Sequence, residues 1–312
     1  MKPIRIGTRG SKLALYQANH VADLLSLQGL EYEIVTIDTK GDKILDVSIS
    51  KIGSKGVFTE ELEDQLKSGA IDIAVHSAKD LPSRLPDGFE IIAFTEREKV
   101  NDVIISHKKD LPDFTDSQSR LVFGTSSTRR VATLLHYYPH IKTTEVRGNL
   151  QTRISKMENG ACDALLLAYA GVHRMGYDHM IIKELPLETF TPAVGQGSIA
   201  VEASDRLAPD LRKEITRVVH HPATGYCLEA ERSFLKVLEG GCSIPVFALA
   251  QFSSDTKITL KGGIISLDGK KIISEQVSDS LEEARSIGQA LAESVLAKGG
   301  DSILKEIRKH IK

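Results

Sequence analysis

The chain has little cysteine: three residues in 312, Cys162, Cys227 and Cys242, with no Cys-x-x-Cys pair. An odd, unpaired set argues against a disulfide framework and for a reducing compartment. No apolar run is long enough for a signal peptide or a bilayer span, so the expected setting is the cytoplasm, with no membrane partner. An excess of one charge is missing as well. Forty basic residues against 42 acidic ones leave a net charge of −2. No global basic field draws such a chain to nucleic acid, and any anion site must be local. There is no Gly-x-x-x-x-Gly-Lys-Ser/Thr loop and no Gly-x-Gly-x-x-Gly after the first strand. His220, His221 and Cys227 lack the usual ligand spacing, so no metal is expected. The rest is ordinary for a globular protein, 41% hydrophobic and 26% charged. At this length two or three domains are expected.

Two internal echoes divide the chain. Ile4-Arg-Ile-Gly7-Thr8-Arg9-Gly10-Ser11 reads as a strand running into a helix from about Ser11 to Gln28. Leu121-Val-Phe-Gly124-Thr125-Ser126-Ser127 repeats it, with a helix from about Ser127 to Tyr138. Further on, Gly69-Ala70-Ile-Asp72 matches Gly160-Ala161-Cys-Asp163, each a helix end, a glycine turn and a buried apolar strand. Strands alternating with helices imply mostly parallel sheets in two similar α/β lobes, with a ligand cleft between them. Hinges are expected near 99–102 and 194–197.

The remainder changes character. After His221-Pro222, Leu228, Ala230, Phe234, Leu235 and Leu238 recur at helical spacing, and Gly240-Gly241 should stop the helix. Cys242 follows on a tight loop where a sulfur can be presented as a nucleophile or attachment point. A lone cysteine near a helix end can equally be a small apolar residue. Cys162 and Cys227 read as core. Three strands are expected at about 246–252, 257–264 and 271–278, with Asp268-Gly269 as a hairpin turn. A helix opened by the capping box Ser280-x-x-Glu283 and closed near Gly299-Gly300 follows, then a last helix from about Asp301. This is a small α+β domain, three antiparallel strands with helices on one face.

Cations gather on the loops that the echoes bring to the cleft: Arg9, Lys51, Lys55, Lys79, Arg129, Arg130, Arg147, Arg153 and Arg174. Helix N-termini and arginine forks at strand ends hold phosphate or carboxylate groups, so the cleft should bind a polyanion. One acid interrupts the set. In His76-Ser-Ala-Lys79-Asp80-Leu-Pro82 a carboxylate directly follows a buried strand, placed for a developing positive charge or for capping its loop. The residues alone leave three classes open: an enzyme using Cys242 and Asp80, a two-lobed anion-binding protein, and a phosphate-handling transferase. The presented cysteine argues against the second, and the basic rather than acidic glycine loops against the third.

Seven stretches resemble the porphobilinogen deaminase family in the family's order. They are Gly7-Thr-Arg-Gly-Ser-Lys-Leu-Ala, Lys55-Gly-Val-Phe-Thr-Glu-Glu-Leu, Ala74-Val-His-Ser-Ala-Lys-Asp-Leu-Pro and Gly124-Thr-Ser-Ser-Thr-Arg-Arg. The others are Arg147-Gly-Asn-Leu-Gln-Thr-Arg, Ala193-Val-Gly-Gln-Gly and Glu231-Arg through Gly-Gly-Cys-Ser-Ile-Pro245. Phe247 departs from the family, where a small residue commonly stands. The resemblance implies two periplasmic-binding-protein-like lobes, residues 1–99 with 199–216 and residues 100–198, and a C-terminal domain over 217–312. It implies a transferase that joins four porphobilinogen molecules head to tail with loss of ammonia, giving hydroxymethylbilane. The implied cofactor is a dipyrromethane primer on Cys242 through a thioether, and the implied state a monomer. By the same match Asp80 is the catalytic carboxylate, and Lys79, Thr125, Ser127, Arg129, Arg130 and Arg153 hold the primer. Arg9, Ser11, Arg147 and Arg153 face the incoming substrate. Lys51, Lys55 and Arg174 guide elongation, with Gln196 near the hinge.

Overall fold

The computed structural model describes residues 2–39, 59–241 and 243–311. The first lobe opens with β1 (Ile4–Arg9), α1 (Lys12–Ser26), β2 (Tyr32–Ile37), α2 (Glu60–Ser68), β3 (Ile73–Ser77) and β4 (Phe89–Phe94). The chain then crosses to β5 (Asp102–Ile105), β6 (Val122–Gly124), α3 (Thr128–Tyr137), β7 (Lys142–Thr144) and α4 (Leu150–Glu158). β8 (Ala164–Ala168), α5 (Tyr169–Arg174) and β9 (Ile181–Glu184) complete that lobe, and the chain returns through β10 (Ile199–Ser204) and α6 (Pro209–Val219). The last part holds α7 (Pro222–Leu238), β11 (Val246–Ser254), β12 (Lys257–Ile265), β13 (Ile272–Ser280), α8 (Ala284–Val295) and α9 (Asp301–Ile311).

The two large sheets share one topology, β2-β1-β3-β10-β4 in the first lobe and β7-β6-β8-β5-β9 in the second. Four strands of each sheet run the same way, as expected, and one is reversed. β1 and β6 pair in parallel with both neighbours, but β10 and β5 run antiparallel to both of theirs. The reason is connectivity: the antiparallel strand is the first one laid down after the chain crosses from the opposite lobe.

The second echo holds at atomic level. Asp72 accepts the Arg5 backbone N–H at 2.8 Å and Asp163 the Val122 N–H at 3.0 Å. Each aspartate returns its own N–H to the same residue's carbonyl, at 2.9 Å in both cases. Gly69 and Gly160, just before them, take positive φ (74° and 84°), which a glycine adopts without strain. In the first lobe α1 buries Ala18, Val21, Ala22 and Leu25 against Ile4, Ile6, Ile73 and Val75 of the sheet. Each large aliphatic side chain so buried stabilises by about 1.5–3 kcal/mol. β8 is buried throughout and feeds two cores, Leu165 and Leu167 into one and Ala164 and Leu166 into the other.

The C-terminal sheet is antiparallel in the order β11-β12-β13, with α7 and α8 packed on it through Phe234, Leu291, Leu260 and Ile264. Two details of its helix ends differ from expectation. Glu239, not a glycine, takes the left-handed conformation that ends α7 (φ 47°), and Arg308 holds its carboxylate at 3.0 Å. The Ser280 capping box does not form: Ser280 is paired with Lys257 as the end of β13, a 3-10 turn follows, and Glu283 accepts from the Ser286 hydroxyl instead. Phe247 is buried against Ala132 of α3 and Ile265, so this departure from the family packs where the third domain meets the second lobe. The hairpin tip docks beside it, with Gly269 O 2.7 Å from His136 Nδ1.

Both crossings between lobes converge on one buried carboxylate. Glu231, on α7, takes Arg97 Nη1 and Nη2 at 2.6 and 3.1 Å, the Gly195 N–H at 2.9 Å and the Ala250 N–H at 2.9 Å. Arg97 also donates Nε to Gln196 O at 2.9 Å. A buried charge is tolerated when its lone pairs are filled this completely.

Candidate functional site

The two echoed loops are built alike. Ser11 caps α1 by accepting the Ala14 N–H at 3.3 Å, and Ser127 caps α3 by accepting the Arg130 N–H at 3.5 Å. Thr125 Oγ1 accepts the Ser127 N–H at 3.2 Å and tightens the second loop. A side chain at Gly124 would lie 2.6–2.8 Å from Cys162 Sγ, Val146 and Leu165, so glycine lets this loop sit down on β8.

Asp80 ends a 3-10 turn, Ala78–Asp80, directly after β3, and it is exposed. The return crossing lies against this turn: Ala78 N–H donates to Ser198 O at 3.0 Å. Gly195, at φ 76°, comes so close that a Cβ would meet Ala78 C at 2.9 Å. Lys79 therefore sits between lobes. Burial pushes its ammonium down to about 8, opposed by Asp80, with Arg130, Asp102 and Arg129 of the second lobe also within electrostatic reach. Arg153 is the counterpart from α4. Burial lowers it to about 10, Arg130 and Arg147 push the same way, and Asp80 opposes. Residues far apart in sequence thus share one half-buried, mainly cationic space beside Asp80.

Arg129 and Arg130 lie deeper. Arg129 Nη1 and Nη2 reach Asp102 at 2.8 and 3.2 Å, and Arg130 Nε and Nη2 reach it at 3.1 and 2.8 Å. Arg129 also donates to Thr191 O and Arg130 to Leu166 O. Burial alone would raise the Asp102 carboxyl, but the two guanidinium groups hold it well below the usual carboxylate range. Gln196 is buried on the same acid, its amide 3.0 Å from Asp102 Oδ1 and 2.7 Å from Val100 O. These three side chains are engaged with the protein itself, which orients α3's first turn.

Around them, Arg147 pairs with Glu145 at 2.5 Å, and Arg153 Nε donates to Gly148 O at 2.7 Å. Arg174 donates to Gly197 O at 2.7 Å; burial lowers its guanidinium, with Glu98 and Tyr16 opposing. Arg9 and Ser11 line a pocket of about 70 Å³ together with Gln17, His76, Ser77 and Asp80. Lys51, Lys55 and Cys242 lie outside the described residues. His220 and His221 serve the fold: His220 Nδ1 accepts the Phe94 N–H, and His221 caps α7 by accepting the Thr224 N–H. Among the described residues no cluster of three or more His, Cys, Asp or Glu could hold a metal.

Sequence reasoning missed Asp102, Gln17, Ser77 and His76. Gln17 is buried on α1, its amide 2.8 Å from Ser77 Oγ. A glutamine at a helical position otherwise taken by Ala14, Ala18 and Val21 was the available signal. Asp102 had a similar one, an acid heading the apolar run Val103-Ile-Ile.

The two Nη groups of Arg153 and the Lys79 ammonium have no hydrogen-bond acceptor among the described residues, and both side chains are half-buried. Fold and site together define a two-lobed α/β protein with a third, α+β domain and a cluster of cations from both lobes beside one acid. The chain matches the family description "Porphobilinogen deaminase, dipyromethane cofactor binding domain" over residues 4–209, and "Porphobilinogen deaminase, C-terminal domain" over residues 225–297. It is 56% identical over 306 residues to the porphobilinogen deaminase of Desulfosudis oleivorans, covering 98% of each chain. It is 57% identical over 308 residues to that of Cytophaga hutchinsonii, covering 99% of this chain and 98% of that one. Among solved structures it is similar to the methionine binding protein MetQ, at TM-score 0.43 and 13% identity over 69% of this chain and 89% of that one. The chain belongs to the porphobilinogen deaminase family.

Proposed function

We propose that this chain is a hydroxymethylbilane-forming transferase. It condenses four porphobilinogen molecules head to tail, releasing ammonia at each addition, on a dipyrromethane primer attached by a thioether to Cys242. The observation that carries this reading is the gathering of Lys79, Arg130 and Arg153 within electrostatic reach of one another beside Asp80. Each pyrrole bears an acetate and a propionate, and planar guanidinium forks suit such carboxylates.

The primer, when bound, supplies a pyrrole whose free α-carbon is the nucleophile. Lys79, Thr125, Ser127, Arg129, Arg130 and Arg153 hold its carboxylates. Arg129 and Arg130 act with their Asp102 partner behind them, so part of their work is to fix the helix start. Arg9, Ser11, Arg147 and Arg153 take the carboxylates of the incoming substrate. Lys51, Lys55 and Arg174 guide the growing chain, with Gln196 at the return crossing. Asp80 faces the methylene that becomes cationic as ammonia leaves porphobilinogen, and a fixed carboxylate there lowers the barrier. The domains are residues 1–99 with 199–216, residues 100–198 and residues 217–312. The protein works as a cytoplasmic monomer without nucleic-acid or membrane partners; its near-neutral charge gives no global field toward nucleic acid or an anionic membrane.

Intact mass spectrometry tests the proposal. The purified chain should be heavier than its sequence by one dipyrromethane, and Cys242→Ser should carry none and lose nearly all turnover. An unmodified mass in protein that consumes porphobilinogen would overturn it.

A further inference from the structure

Behind the pocket lies a charged cluster that the reading above does not use. His76 and Glu202 are adjacent on neighbouring strands β3 and β10, both buried, with His76 Nε2 3.0 Å from Glu202 Oε2. The contact is an ion-pair approach and not an aligned hydrogen bond, and among the described residues neither Glu202 oxygen has a hydrogen-bond partner. Arg232 of α7 approaches from the third domain: Nη2 donates to Pro82 O at 3.0 Å, just beyond Asp80, and Nη1 is buried with no partner among the described residues. Glu63 of α2 closes the other side, its Oε1 also buried and without a partner among them. Burial raises the Glu63 carboxyl, and Glu202 adds to that while His76 opposes it.

A buried carboxylate with unfilled lone pairs is costly, and it gains most when a positive charge forms beside it. The group placed to gain that charge is His76. Its Nε2 faces Glu202, and His76 is also one of the residues that line the pocket with Arg9, Ser11, Gln17 and Asp80. A carboxylate behind an imidazole at the wall of a substrate pocket suits a general base. The acid orients the ring and stabilises the imidazolium that forms.

We propose that His76, backed by Glu202, is the proton acceptor of each condensation; this rests on the transferase reading above. The chemistry requires such a group. When ammonia leaves porphobilinogen, the C–N electron pair departs with nitrogen and the methylene becomes cationic. The α-carbon of the last porphobilinogen-derived ring attacks it, and a C–C bond forms. That carbon then carries one hydrogen too many. Its C–H bond breaks, the electron pair restores the aromatic ring, and the proton goes to Nδ1 of His76. From there it leaves with the released ammonia as ammonium, and the imidazole is neutral for the next cycle. Asp80 stabilises the cation, and His76 removes the proton.

The test uses the holoenzyme and porphobilinogen deuterated at its free α-position. His76→Gln is expected to keep the primer mass and to lose about a hundredfold in turnover. A primary isotope effect should appear on kcat, because the loss of the α-proton becomes limiting. Glu202→Gln keeps the shape, should lose less and should show an isotope effect in the same direction; it also decides the matter if His76→Gln does not fold. Added imidazole should restore part of the turnover of His76→Ala. If turnover falls in step with melting temperature and protiated and deuterated substrates react alike in these variants, the pair is structural and the proposal is overturned. Wild-type protein that does not consume porphobilinogen at all would instead overturn the transferase reading.

Discussion

Arg97 and Glu231 form a two-pronged ion pair at a point where the outgoing crossing, the returning crossing and the third domain all touch. Arg97 belongs to the first crossing, its Nε holds Gln196 of the second, and Glu231 reaches β11 through Ala250. Gln196 continues the chain of contacts by placing its amide on Asp102, the acid that holds Arg129 and Arg130. The third domain is thereby tied by direct contacts to the helix start that faces the site.

Glu231→Gln should therefore destabilise strongly. The amide cannot neutralise Arg97, and breaking one side of a buried pair costs about 3–5 kcal/mol. Arg97→Ala should cost a similar amount, and the double variant less than the sum, since the two changes remove one interaction. Denaturant unfolding of the three variants measures this. Single losses below about 1 kcal/mol would show that the pair does not hold the crossings together.

Asp80→Asn should keep the fold and the primer but lower turnover by about a hundred- to a thousandfold, the usual worth of one preorganised group facing developing charge. Asp80 is exposed on its turn, so an amide of nearly the same size disturbs little packing. Asp80→Glu keeps the charge but displaces it, and should fall between the two. A loop-capping role reverses the pattern: Asn would stay active and Glu would be the poorer substitute. Steady-state rates and melting temperatures for both variants separate the readings.

How much of this was legible beforehand depended on sequence distance. The starts of α1 and α3 at Ser11 and Ser127, and the paired turns at Asp72 and Asp163, rest on local chemistry and could be read directly. The antiparallel insertion of β5 and β10 could not, because their apolar runs are compatible with either direction and only the crossings decide it. Glu231 looked like an ordinary helix residue, and its three partners, Arg97, Gly195 and Ala250, come from three separate segments. Arg129 and Arg130 were legible as site cations, but Asp102 behind them lies 27 and 28 residues away.

Lys79 gives a pH-dependent prediction. Burial pushes its ammonium down to about 8, below an unfolded value of about 10.4. The unfolded chain thus binds more protons between these values, so stability from this group rises with pH across that window and is lowest below 8. In a Cys242→Ser background, expected to carry no primer, Lys79→Met should melt higher near pH 7, by about 2–4 °C for each kcal/mol recovered. The advantage should shrink as pH rises toward 10. With Cys242 intact, the same change should reduce primer occupancy. Equal melting at pH 7 and 10 would show that the desolvated charge is not what Lys79 contributes.

The shared topology of the two sheets also bears on how the chain is made. Residues 102–184 carry every strand of the second sheet, so that lobe can close as soon as its own stretch has left the ribosome. The first sheet cannot. Its fourth position belongs to β10, residues Ile199–Ser204, which are synthesised after the whole second lobe. Until then β3 and β4 each present an unpaired edge, the kind of surface that captures other chains. The first lobe of this protein must therefore wait, partly assembled, for its fourth strand to arrive, and long-range closure of that sort is intrinsically slow.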